Sequence, residues 1–330
     1  LAKRFAPRRA RLFKVLAVLL GLVLASLMGE IGLRLSRARF RALRESEGDT
    51  ACDRTSRHRE LVYEGVPSAC GQSSWGFCDV EHGVDPPPGA LRIAVVGDSV
   101  AAADGVWLDD GLGRVLERRL AADLQRPVEV LTMAHSGYAT SQEIFLIERE
   151  VMPLEPRLVV VIYVLNDPDH PVYGTSSGQV ANYYDRPPSY LVDWLEGAIY
   201  KIRENQSESS CPQPWANFIH CAHEGEVREN FRRLGEISRH GNAPFLVAIH
   251  PFLTDPLEGA EYPYADLHGK LAALTRQNGM EAIDLREAYR GHQLSDVQQD
   301  PEDPLHPNAL GHDLVGTYLA HAIAARADLR

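Results

Sequence analysis

The sequence predicts an α/β protein, a three-layer α/β/α sandwich with a parallel, flavodoxin-like sheet, preceded by one N-terminal transmembrane segment. Three observations predict it. Short β-branched runs at 92–96, 128–132, 158–164, 245–250 and, weakly, 281–284 are apolar throughout, the mark of strands buried on both faces. Amphipathic helical patterns lie between them, and strand–helix alternation makes a parallel sheet covered on both sides. A basic head flanking an apolar run sets residues 1–44 apart from the rest.

The apolar run "VLAVLLGLVLASLMG" covers residues 15–29. At about 1.5 Å rise per residue that is short for a span. Leu12 and Phe13 extend it if Lys14 snorkels, and Ile31 and Leu33 extend the far side at the expense of Glu30. Lys3, Arg4, Arg8, Arg9 and Arg11 precede the run and favour a cytoplasmic N-terminus; Arg34, Arg37, Arg39 and Arg41 follow it and weaken that bias. Val23-Leu24-Ala25 also fits signal-peptidase cleavage, so a cleaved secretory signal competes with an anchor. Both readings export the body. The chain opens on Leu, so its natural start is expected elsewhere.

The formal net charge of −11 hides a split. Residues 1–44 hold eleven Lys/Arg and one acid, leaving 23 basic against 44 acidic residues, or −21, for the body. Such a body repels phosphate backbones and anionic headgroups, which argues against a nucleic-acid partner.

In an exported chain the short-range pairs Cys70–Cys78 and Cys211–Cys221 are the expected disulfides, with Cys52 left over. The stretch "HCAH", His220 to His223, with Cys211 nearby, matches no standard zinc spacing well.

Residues 45–90 carry no sustained period and end in the stiff "DPPPGA", so they read as an irregular lead-in to a main domain at 91–330. Within that domain, apolar stripes mark helices at Leu112, Val115, Leu116 and Leu120, and at Ile144, Ile147 and Val151. Further helices follow at Val227, Phe231 and Leu234, at Leu267, Leu271 and Leu274, and from Leu310 to the end. Residues 168–222 break the rhythm with Pro168, Pro171, Pro187, Pro188, Pro212, several Tyr, Trp194 and Trp215. That is too long for a connection and reads as an inserted cap.

Ligands of a parallel sheet bind beyond the carboxyl ends of its strands, so the residues there are the test of function. After the first strand come Gly97-Asp98-Ser99, and after the second "AHSGYATSQE" with Gly137. After the third come Asn166 and Asp167, and after the fourth His250 and Pro251; before the last helix lies "DPEDPLHPNALGH" with Asp303 and His306. The set fits acyl transfer: Ser99 as nucleophile, His306 as its base, and Asp303 orienting the ring from three residues upstream. The N–H groups of Ser99 (at a helix start) and Gly137, with the Asn166 amide, fit an oxyanion hole. Asp300, Glu302 and Asp303 all lie upstream of His306 within one short segment, and the i, i+3 spacing of Asp303 favours it. His135 and His250 lie at the same edge and read as structural. "GTSSG", Gly174 to Gly178, matches a nucleophile elbow but lacks the strand before and the helix after, and reads as a loop.

These segments resemble the consensus blocks of the SGNH (GDSL-type) hydrolase superfamily, whose Ser, Gly, Asn and His fall on Ser99, Gly137, Asn166 and His306. "WGFCDVEHG" and "DGVWLDDGLGRVLERRL" are similar to membrane-anchored bacterial members, and the likeness covers roughly residues 75–325, leaving 168–222 unplaced. One departure is Val164, which stands where the third block usually has glycine and puts the local backbone in question. The resemblance implies a serine esterase in the periplasm, held by one N-terminal helix, acting on a small ester or an acylated, notably O-acetylated, envelope or extracellular carbohydrate. No cofactor or metal is implied. An O-acyltransferase using the same residues is the first alternative. A non-catalytic carbohydrate-binding or polysaccharide-assembly module is the second, and the intact set of Ser99, Asn166 and His306 argues against it.

Overall fold

The computed structural model describes residues 6–45, 52–58, 60–168, 189–207, 210–241 and 243–329. In chain order its elements are α1 (Ala6–Glu45), β1 (Asp53–Thr55), β2 (Tyr63–Gly65), β3 (Leu91–Gly97), α2 (Leu112–Leu124), β4 (Val128–Ala134), α3 (Thr140–Leu146) and β5 (Leu158–Val164). Then come α4 (Tyr190–Ser207), α5 (Trp215–Ala222), α6 (Glu224–His240), β6 (Phe245–His250), α7 (Ala265–Gln277), β7 (Glu281–Asp284), α8 (Leu294–Val297) and α9 (Ala309–Ala324). The chain divides into two compact units, Leu1–Ala51 with Val172–Lys201, and Cys52–Pro171 with Ile202–Arg330. The stretch Gly174 to Gly178, expected to be a loop, lies outside the described residues.

In the larger unit the five apolar runs form one parallel sheet in the order β4-β3-β5-β6-β7, the flavodoxin-like arrangement. All seven residues of β5, the central strand, are buried, as a strand covered on both faces requires. The step from β3 to β4 runs one way along the sheet and the later steps run the other way. Right-handed crossovers therefore place α2 on one face, where it packs on α9, and α3, α6 and α7 on the other. Strand β7 was the weakest in sequence because it is an edge strand and none of its residues is fully buried.

Residues 52–90 are irregular, as their lack of period predicts, yet they are built into this unit. Strands β1 and β2 form a small antiparallel hairpin. Behind it His82 bridges Asp79 and Glu129 (3.0 Å each), Arg92 pairs with Glu129 (2.7 Å), and Arg114 with Asp79 (3.1 Å). Asp79 also accepts the Thr132 N–H on β4 (2.6 Å), so this segment occupies the edge of the sheet.

The disulfides are Cys52–Cys70 and Cys211–Cys221. The second is as expected; the first corrects the expected Cys70–Cys78 pair. The Val66 N–H binds the Cys52 carbonyl and the chain turns back at 66–72, bringing Cys52 and Cys70 to a Cα separation of 5.5 Å. Cys78 is a free, exposed thiol. His220 Nδ1 donates to the Ala216 carbonyl (2.8 Å) and Nε2 accepts the Tyr163 hydroxyl (3.0 Å), so "HCAH" is a packed helix end stapled by a disulfide.

In the smaller unit, Arg11–Ser36 of α1 is long and apolar enough to cross a membrane, with a mean hydropathy of 2.3.

Candidate active site

The end of β3 turns sharply. A Cβ on Gly97 would lie 2.7 Å from Ala101 Cβ and 2.9 Å from the Ile162 carbonyl, so only glycine lets the turn pack on β5. Ser99 was expected at a helix start; it lies instead in a single turn. Asp98 Oδ1 accepts the Val100 N–H (3.0 Å) and the Asp98 carbonyl accepts from Ala102 (2.9 Å). Positive φ at Ala103 (60°) and Gly105 (83°) then ends the turn, and α2 begins only at Leu112.

The segment before α9 brings its partners to that turn. Asn308 caps α9 by accepting the Gly311 N–H (3.1 Å), and the Gln299 N–H binds the His306 carbonyl (3.1 Å). Thus pinned, His306 Nε2 stands 2.8 Å from Ser99 Oγ, and Nδ1 stands 2.6 Å from Asp303 Oδ2. Asp303 Oδ1 also accepts the N–H groups of Leu305 (2.8 Å) and His306 (3.2 Å). Partial burial alone would raise the Asp303 pKa, but these bonds and the adjacent ring outweigh it and hold the carboxyl below its ordinary value. Asp300 instead accepts the Glu302 N–H (2.8 Å), and Glu302 is exposed. Of the three acids it is Asp303 that reaches the ring.

The loops after β4 and β5, the two strands that flank β3, carry the other candidate donors. Gly137 is exposed and has φ 76°, a left-handed conformation that strains any residue with a Cβ. Among the described residues, neither the Ser99 N–H nor the Gly137 N–H has a protein acceptor. Asn166 Nδ2 donates to Asp98 Oδ2 (3.3 Å), which aims the amide nitrogen at the serine turn. Val164 does not disturb this arrangement. It is the last residue of β5, extended and paired with His250, with Asp167 Oδ2 accepting its N–H (3.1 Å). No left-handed glycine is needed there.

Sequence reasoning missed two layers beneath these groups. The first is Tyr63, buried in the lead-in, whose O–H donates to the Ser136 carbonyl (2.5 Å). That carbonyl and the Gly137 N–H belong to one peptide unit, so Tyr63 holds the far end of a candidate donor. Val62 just before it adopts φ 65°, costly for a β-branched residue, and Tyr138 Oη donates back to the Tyr63 carbonyl (2.9 Å). His135 lies edge-on to Tyr63 and 2.8 Å from Asp53, so it joins the hairpin to β4, a structural role. The second layer is a nest of buried carboxyls, Asp98, Glu143 and Asp167. Burial pushes Asp98 up to about 6 against the lowering pull of Val100 and Asn166. Burial and mutual repulsion push Glu143 and Asp167 well above the carboxylate range. His250 is also structural, buried and bound to Tyr289 Oη (2.7 Å).

A hydroxyl on a ring nitrogen, the other nitrogen on a carboxylate, and unpaired N–H groups beside the hydroxyl are the parts needed for nucleophilic attack on a carbonyl. The profile of the GDSL-like lipase/acylhydrolase family matches residues 95–314, from β3 into α9, and so takes in every residue of the serine turn, the glycine loop and the histidine loop. The chain belongs to the GDSL-like lipase/acylhydrolase family. It is a serine hydrolase of ester bonds, with the family's sheet.

Solved structures resemble this GDSL hydrolase at low identity. Axe2, an acetylxylan esterase from Geobacillus stearothermophilus, is 13% identical over 73% of this chain and 96% of its own, with a TM-score of 0.48. LAE5, an alpha/beta hydrolase from the metagenome of Lake Arreo, is 15% identical over 74% and 99%, with a TM-score of 0.47. A two-domain esterase active on acetylated mannans, co-crystallised with mannopentaose, is 14% identical over 71% of this chain, with a TM-score of 0.43. The match spans 49% of that two-domain chain. A comparison with curated proteins gives no match.

Proposed function

We propose that this hydrolase cleaves short-chain, notably O-acetyl, esters of carbohydrates by a Ser99–His306–Asp303 mechanism, outside the cytoplasm and tethered by α1. The observation that carries the mechanism is the unbroken line from Asp303 Oδ2 through His306 to Ser99 Oγ.

His306 donates its Nδ1–H to Asp303 and accepts the Ser99 O–H at Nε2. Ser99 Oγ attacks the ester carbonyl carbon as its proton passes to Nε2, and Asp303 stabilises the imidazolium that forms. The carbonyl oxygen becomes an oxyanion and takes the Ser99 N–H, the Gly137 N–H and an Asn166 Nδ2–H. Collapse breaks the bond to the alcohol oxygen, which leaves with the proton from Nε2. Water then repeats the sequence on the acyl-serine, losing a proton to His306, and the acid departs. Tyr63 serves this step by holding the Ser136–Gly137 peptide, and Asp98 by holding the Asn166 amide.

Two features support a carbohydrate ester. The body's charge of −21 disfavours anionic lipid substrates. Trp215, half-exposed, stacks on Phe252 (centroids 6.0 Å, planes 8° apart), and the next residue, Leu253, donates its N–H to Pro304 in the histidine loop (2.7 Å). A flat aromatic face beside that loop suits the C–H face of a sugar ring.

The test is a ladder of chromogenic esters of rising acyl length, assayed on the full chain with and without an oligosaccharide acceptor. Turnover greatest for acetyl and unchanged by acceptor supports the reading. Preference for long acyl chains overturns the acetyl assignment, and acyl transfer to the sugar overturns hydrolysis.

A further inference from the structure

Glu30 is an acid near the outer end of the apolar segment of α1, and its carboxylate is fully engaged. It accepts the Ser189 hydroxyl (2.8 Å) and the N–H groups of Tyr190 (3.2 Å) and Leu191 (2.8 Å), and it pairs with Arg34 (2.6 Å). Tyr190 and Leu191 open α4, so Glu30 caps that helix from another element, where a negative charge is favoured. Leu191 lies against Gly29, at 3.5 Å from where a Cβ would be, and the Arg34 guanidinium sits 5.3 Å over the Tyr190 ring. The start of α4 is thereby fastened to one level of α1.

That level is informative. From Arg11 to Glu30 the helix rises about 28 Å at ~1.5 Å per residue, close to the ~30 Å of a bilayer's hydrocarbon core. If α1 spans, α4 begins at the far headgroup level. At 100° per residue, Leu191, Val192, Trp194, Leu195, Ile199 and Ile202 fall within one half of α4, and Glu196, Lys201 and Arg203 within the other. Among the described residues the apolar half is uncovered: Val192, Trp194, Leu195, Ile199 and Ile202 are 42–56% exposed, and Lys201 and Arg203 on the polar half are exposed as well. Large apolar side chains exposed together on one face mark an interaction surface.

We propose that α4 lies in the membrane surface, its apolar half in the headgroup–acyl boundary and its depth set by the Glu30 joint. The occupant is the bilayer that holds α1, because the joint places this face at the end of the span. The proposal therefore rests on α1 being a membrane anchor. The polar half mixes acids with Lys201 and Arg203, so the apolar face supplies the attraction and zwitterionic lipid suffices. An amphipathic helix in this position with a Trp on its apolar side matches interfacial anchoring.

The test uses the full chain in phosphatidylcholine nanodiscs on a Cys78→Ser background. Spin labels are placed one at a time at Val18→Cys, Leu195→Cys, Ile199→Cys and Lys201→Cys, and collision rates with oxygen and with a water-soluble nickel chelate are compared. Labels at 195 and 199 should favour oxygen, with 201 favouring nickel, and Glu30→Gln should reduce the contrast. Nickel access at 195 and 199 equal to that at 201 overturns the proposal, as does protection of both from both agents, which would mean a protein covers the face. The label at 18 separates the two readings. Oxygen-favoured at 18 with water-exposed 195 and 199 overturns the surface helix alone, and water access at 18 overturns the anchor and the surface helix together.

Discussion

Replacing Tyr63 by Phe removes one hydroxyl and keeps the ring among Tyr138 and His135. The Ser136 carbonyl loses a buried donor at 2.5 Å. The carbonyl keeps only the longer contact from His135 Nδ1 (3.4 Å), so the loss costs about 1 kcal/mol of stability, the net worth of one hydrogen bond. The rate effect is separate. A whole oxyanion donor is worth about 2.7–4 kcal/mol in the transition state. Tyr63 is not that donor; it orients and polarises the peptide that carries it. Losing about a third of the donor's worth, roughly 1–1.5 kcal/mol, corresponds to about tenfold in kcat. KM should hold, because the peptide must meet the oxyanion rather than the planar carbonyl. Steady-state kinetics on an acetyl ester, beside a melting curve, measures both quantities. A folded variant with kcat within about twofold of wild type, or a loss carried wholly by KM, refutes the reasoning.

Asn166→Ala should lower kcat by about 10²–10³ with KM little changed; an equal loss in KM alone would make Asn166 a substrate-binding residue. Asp303→Asn should cost about 10- to 10³-fold in kcat/KM, less than the ~10⁴ that the same change costs a serine protease, since Asp303 is partly exposed and water can replace it in part. Asp300→Asn and Glu302→Gln should be nearly silent, and a crippled Glu302→Gln would reassign the acid. Asp98 has a folded pKa of about 6 against an ordinary 3.8, so it withdraws stability as pH rises through that window. The stability of Asp98→Asn relative to wild type should therefore increase between pH 4 and pH 7, by up to about 3 kcal/mol. Denaturant unfolding at several pH values checks this, and a pH-independent difference contradicts it.

The strands and the site residues at their ends were readable because the signals are local. A run such as Leu158–Val164 declares burial on both faces by composition alone, and the topology rule then says where to look for Asn166. His306 and Asp303 were readable for the same reason, since one short loop holds both. The rest depends on contacts between distant residues with no period to announce them. Tyr63 meets Ser136 across 73 positions, and Asp79 meets Thr132 across 53. Cysteine spacing favoured Cys78 over Cys52 as the partner of Cys70, but the hairpin's turn decides the pair. Ser99 read as a helix start. Asp98 does accept the Val100 N–H there, yet the chain makes a single turn because Ala103 and Gly105 leave the right-handed region. Glu30 looked like a flaw in an apolar segment, because the helix it caps begins at position 190.

The central claim is that Ser99 is an activated nucleophile. Incubating the full chain with a fluorophosphonate ester and mapping the adduct by peptide mass spectrometry tests it most directly, with Ser99→Ala alongside. A single adduct on Ser99, ester turnover lost in proportion to labelling, and a folded Ser99→Ala that neither labels nor turns over are the predicted results. A folded wild type that remains unlabelled, an adduct on another residue, or a Ser99→Ala variant that keeps its turnover would contradict the claim.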